Sequence, residues 1–171
     1  MEKFLDKNCE NILNKILGAF FQMNSIADNM AYALDCELLC PIASKQFHIS
    51  YAHAFVGDTF ADGISNTMVQ NNLRPVRLAL VENVKSYKDI DELFTENYNE
   101  IDKLRKLIYN SIDELDYDAS NKSIVVFLES ILESLMPYHK QAAIWADKAK
   151  EYAKSNNVGK FDVHFEKFTF I

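Results

Sequence analysis

The stretch Asn71-Asn72-Leu73-Arg74-Pro75-Val76-Arg77-Leu78-Ala79-Leu80-Val81-Glu82-Asn83-Val84-Lys85-Ser86-Tyr87-Lys88 decides how this chain folds. It opens on breaker chemistry, two asparagines and a proline within five residues. Only a short apolar piece follows, Val76 to Val84, which reads as a single short helix. On both sides the apolar residues recur at steps of three and four, the mark of a helix with one buried face. Upstream, Ile12, Ile16, Phe20, Met23, Ala27, Met30 and Leu34 outline a helix from about Glu2 to Asp35. A second runs from Pro41, well placed as a first helical residue, to Gln70, through Phe47, Tyr51, Ala54, Phe55, Ala61, Ile64 and Met68. Downstream, Asp89 and Glu92 have the spacing of a capping box. Leu93, Ile101, Leu104, Ile108, Ile112 and Leu115 carry the third helix to Asp116–Asp118. The fourth opens at Ser120 or Asn121 and runs through Ile124, Leu128, Ile131, Leu135, Ala142, Trp145 and Ala149 to Tyr152, kinked at Pro137.

Short turns make antiparallel neighbours, whereas a crossover of about 18 residues spans a bundle and lets helices two and three run parallel. The expected fold is therefore all-α: a four-helix bundle with one long crossover, carrying a short helix, between helices two and three. Residues 1–157 make the bundle and residues 158–171 an aromatic tail. In that tail Phe161, Val163 and Phe165 alternate with Asp162, His164 and Glu166, a strand-like period of two. So apolar a tail must pack on its own bundle or on a neighbouring subunit.

Composition agrees. The chain has 4 Gly and 3 Pro in 171 residues, about 4%, against about 12% in average usage. That is too few for the turns of a β-sandwich, and no glycine pair stands in a phosphate-loop frame. A net charge of −7 argues against a nucleic-acid surface. Lys3 and Lys7 beside Glu2 and Asp6 make no basic arm, so DNA binding is not expected. No apolar run reaches the length of a membrane span. Three cysteines, Cys9, Cys36 and Cys40, do not make a disulfide framework. A cytoplasmic protein with reduced thiols is expected.

The chemistry-bearing residues gather in helix two: His48, His53, Asp58 and Asp62. Five residues apart on an α-helix, His48 and His53 diverge by about 140° and do not share a ligand. Cys36 and Cys40 lack two further ligands at zinc-site spacing and read as small buried hydrophobes. Glu96 with Glu100, and Glu129 with Glu133, read as solvated faces, and no Glu-x-x-His occurs. Gly57 and Gly63 flank the Asp58–Asp62 face, which points to close approach there by another helix or subunit.

Phe47-His48-Ile49-Ser50-Tyr51 resembles the Leu-His-x-x-Phe motif of the Dps-type mini-ferritins. Asp62, thirteen residues before Pro75, stands at that family's Asp, Asn66 at its Glu, and Cys36, twelve before His48, at its first His. The crossover length and Tyr138-His139 with Trp145 are similar too. The resemblance implies a ferritin-like homo-oligomer, a dimer at least and up to a dodecameric shell, that binds, oxidises and stores iron and protects against oxidative stress. It implies iron as the metal, a ferroxidase site across a two-fold interface, and His48 and Asp62 as its ligands, with Asp58 in reserve. With Asn66 and Cys36 in two of four places, the implied site is degenerate. The alternative is a metal-free ferritin-like scaffold acting as a structural or interaction protein.

Overall fold

The computed structural model describes residues 7–171. It is an all-helical bundle: α1 (Lys7–Cys36), α2 (Pro41–Phe47), α3 (Ala61–Gln70), α4 (Ile90–Leu115), α5 (Lys122–Lys154) and α6 (Val158–His164). The expected start of the first helix at Glu2 lies outside the described residues. A π turn (His48–Ala52) and a 3₁₀ turn (His53–Val56) continue α2, and a last 3₁₀ turn (Phe165–Phe168) follows α6.

The expected second helix is interrupted. After Val56 the chain leaves helical geometry at Gly57 (ψ −174°) and re-enters at Ala61. A Cβ built on Gly63 would lie 2.4 Å from the carbonyl oxygen of Asp58, so the turn closes only against a glycine. Within the chain the close approach at Gly63 is therefore made by this turn's own backbone, and no other helix comes within 4 Å of a Cβ added at Gly57 or Gly63.

Contacts fix the directions. Ser44 meets Ala31, His48 meets Asp28 and Asn24 meets Ala52, so α1 and the second segment are antiparallel. Phe47 packs on Phe94, while Tyr51 lies against Asn97, so α4 runs parallel to that segment. His139 bonds Asp102, and α5 returns antiparallel to α4. The parallel pair is joined by residues 71–89, as the crossover length requires.

That crossover is not helical. It lies extended along α1, held by side-chain amides. Asn14 donates to the Arg74 carbonyl (3.0 Å) and accepts from the Val76 N–H (2.7 Å). Gln22 does the same to Val81 with both ends of its amide, at 2.9 and 2.8 Å. Asn29 and Ser25 bond the Asn83 amide further along. These groups satisfy backbone that a local helix would otherwise have to satisfy. Leu78 fits the space left by Gly18, whose added Cβ would meet it at 3.4 Å. At the end of the crossover Asp89 caps α4 through the Glu92 N–H (2.9 Å), as the capping-box spacing predicts, while Glu92 accepts from the Lys88 N–H (2.6 Å), one residue before the N–H that such a box engages.

The tail is helical, not strand-like. Phe161, Phe165 and Phe168 recur at helical steps and are buried, while Val163, which made the alternation, is 65% exposed. Of the two expected packings, the tail takes the one on its own bundle: Phe165 stacks on Trp145 with centroids 5.2 Å apart, and Phe161 meets Phe94. Gln141 holds the last turn as Asn14 holds the crossover, donating to the Phe168 carbonyl and accepting from the Phe170 N–H. Asp162 crosses to the start of α2, accepting from the Ala43 N–H (2.7 Å) and the Ile42 N–H (3.3 Å). α2 begins with Cys40 and Pro41 and has no cap of its own, so the tail supplies one from some 120 residues away.

Candidate functional site

The polar residues of the second segment lie where it departs from α-helical geometry. In the π turn the His53 N–H bonds back to the His48 carbonyl, five residues earlier. The extra residue in the turn brings His53 over His48 instead of 140° away. The two rings sit edge to face with centroids 4.4 Å apart. The sequence-based separation of these imidazoles is thus corrected by the wider turn. Such turns cluster at functional sites in helices. Here Asn24 of α1 steadies the turn by donating to the Ala52 carbonyl at 2.8 Å.

His48 is held by Asp28, Nδ1 to Oδ1 at 2.8 Å, in a half-buried pair on the α1 side. That contact occupies one ring nitrogen, and Nε2 has no hydrogen bond among the described residues. Tyr32 of α1 stands beside the ring, 6.4 Å between centroids, and His53 is solvent-exposed. The arrangement is two adjacent imidazoles, a half-buried one oriented by a carboxylate and an exposed one.

Asp58 and Asp62 lie elsewhere. Both are exposed, Asp58 in the turn after Gly57 and Asp62 in the first turn of α3, beyond the break that separates them from His48. Among the described residues no three His, Cys, Asp or Glu side chains are grouped to hold a metal ion. Within one chain, His48 is therefore not brought together with Asp58 and Asp62, while the site that the resemblance implies spans two subunits. Cys36, at the motif's first position, is exposed rather than buried. Cys40 is buried, and burial together with the charge of Asp162 pushes its thiol up to about 12.

A second polar grouping lies between α4 and α5, and sequence reasoning missed it because its members sit on different helices. His139 Nε2 bonds Asp102 Oδ1 at 2.9 Å, and Lys106 bonds the other oxygen at 2.8 Å. Lys106 foremost, helped by His139, holds the Asp102 carboxyl at about 2. Beside this pair a groove of about 810 Å³ runs along the outer seam, lined by Arg105, Tyr109, Leu132, Met136, Pro137 and Lys140, with Glu129 and Glu133 at one end.

In the bundle core, Tyr51 and Asn97 are wholly buried and close together, yet neither makes a hydrogen bond of good geometry. Burial raises the Tyr51 hydroxyl far above its ordinary value.

The chain matches no described protein-family model, and no curated protein matches its sequence significantly. No helix among the described residues is long and apolar enough to cross a membrane.

Proposed function

We propose that this protein is a ferritin-like metal-binding bundle that takes a divalent transition ion, Fe(II) in the first instance, on the π turn through His48 and His53. The observation that carries this reading is the Asp28–His48–His53 arrangement. A metal-ligating histidine usually gives its second ring nitrogen to a carboxylate, which sets its orientation and raises its basicity. Asp28 stands in that place at 2.8 Å, with Nε2 left for the metal. His53 supplies the neighbouring donor. Two imidazoles leave the remaining coordination positions to water or to another subunit, which suits binding and release better than a closed structural site. Iron handling or protection from iron-driven oxidation is the role that fits such a site. Asp58 and Asp62 take no part in it.

Anaerobic calorimetric titration with Fe(II) tests this, with Zn(II) and Ni(II) as ions that imidazole also binds. Saturable binding is expected. It should vanish in His48→Ala and His53→Ala and weaken about 10–100-fold in Asp28→Asn. Binding that survives both histidine variants, or none with any of the three ions, refutes it.

The second reading is a metal-free scaffold in which helix packing is the function. A core closed by aromatic rings favours it: Phe47, Tyr51, Phe94, Trp145 and Phe165 form one connected set of ring contacts. Elemental analysis of purified protein, with a mass measurement, separates the two.

A further inference from the structure

We propose that the α4–α5 groove is a self-complementary interface that pairs two copies of this chain, with α5 of one lying antiparallel to α5 of the other about Met136 and Pro137. The centre of the seam is apolar and open. Met136 is 64% and Tyr109 53% exposed, with Leu132 partly buried between them. A volume of about 810 Å³ gives this centre a concavity that receives side chains rather than a flat surface.

The charges around it choose the occupant. Glu129 and Glu133 lie on α5 toward one end of the seam and Lys140 toward the other, with Arg105 of α4 along its side. Glu129, Glu133 and Lys140 are exposed, and none is in an ion pair among the described residues. Glu133 and Lys140 are seven residues apart, about 10 Å along the helix, too far to pair within it. A two-fold axis near Met136 brings Lys140 of each copy opposite Glu133 of the other and sets the two Met136 side chains together. Glu133 and Lys140 then form two symmetric pairs, one at each end of the contact, as an isologous arrangement gives. Arg105 stands at the side of the seam, its Nη2 in a long 3.4 Å contact to Asp102. The contact is about 20 Å long, the reach of two crossing helices in a small and reversible dimer.

Sedimentation equilibrium over a dilution series, with charge-reversed variants, tests this pairing. All substitutions are at exposed surface positions, and unchanged helical circular dichroism confirms that each variant folds. The wild-type chain is expected to be a dimer that dissociates on dilution. Glu133→Lys and Lys140→Glu should each weaken dimerisation about ten-fold or more, because both symmetric pairs become like-charged. The double variant E133K/K140E should restore the wild-type constant, and Met136→Arg should give a monomer. A wild-type chain that stays monomeric at every concentration overturns the proposal and leaves the groove to a small ligand or an unlike protein. So does a dimer indifferent to the single reversals, which uses another face, or a double variant that stays as weak as the singles.

Discussion

Replacing Asp162 by Ala removes the side chain that caps α2 while leaving the aromatic anchors of the tail in place. Loss of an N-cap costs about 0.5–2 kcal/mol. Here one released donor belongs to Ala43, a fully buried residue, and leaving a buried donor unsatisfied costs about 1–3 kcal/mol. The Ile42 N–H is nearer solvent and bonds at 3.3 Å, so it adds little. Both figures describe the same bond, so the expected loss is about 1–3 kcal/mol. For a domain of this size that lowers the melting temperature by about 2–12 °C. Asp162→Asn keeps one acceptor oxygen and should lose about half as much or less. Urea and thermal unfolding followed by circular dichroism measure both variants. If Asp162→Ala lies within about 0.5 kcal/mol of wild type, the ordinary range for a surface substitution, the tail does not cap the bundle and the reasoning fails.

Four further outcomes follow from the geometry. Gly18→Ala should stabilise by up to about 1 kcal/mol, because its Cβ meets Leu78 at 3.4 Å; Gly63→Ala should destabilise, because its Cβ meets the Asp58 carbonyl at 2.4 Å; chemical denaturation compares them. Tyr51→Phe should leave stability unchanged or slightly raised, since the lost hydroxyl has no good partner in the core; a loss above about 1 kcal/mol would show that it has one. The folded-state carboxyl of Asp102 is depressed from 3.8 to about 2, so its contribution is present above pH 4 and lost as pH falls toward 2; Asp102→Asn should therefore destabilise at pH 7 and not at pH 2. Cys40, raised from 9.0 to about 12, stays a neutral thiol, so its contribution holds below pH 9 and is lost as pH rises toward 12. At pH 8 a thiol reagent should label exposed Cys36 quickly and Cys40 only on unfolding.

Much of the bundle was legible in the sequence because α1, α4 and α5 are long and regularly periodic, and because the capping box at Asp89 and the crossover length are local signals. The errors share a cause. Val76–Val84 reads as a helix to any local window, but its backbone is bonded by Asn14 and Gln22, some 60 residues earlier. Phe161, Phe165 and Phe168 carried a helical period, masked by Val163, which is exposed. The relation of His48 to His53 was misjudged because α-helical angles do not apply in a π turn, and the spacing of two residues does not reveal the turn. Asp28 is the orienting partner of His48 from another helix, and it stands out only as the lone carboxylate between Ile12 and Asp35.

Asn14, Gln22 and Gln141 hold extended chain by its main-chain groups alone. Main-chain recognition ignores the side chain at the gripped position, so exposed Val81 and Phe170 are free to diversify while Gln22 and Gln141 are not. It also gives the molecule a chemical clock. Hydrolysis of any one amide leaves a carboxylate that accepts but does not donate, turned toward a carbonyl oxygen it now repels. Age would loosen the crossover and the tail first, with the three long helices α1, α4 and α5 still in place.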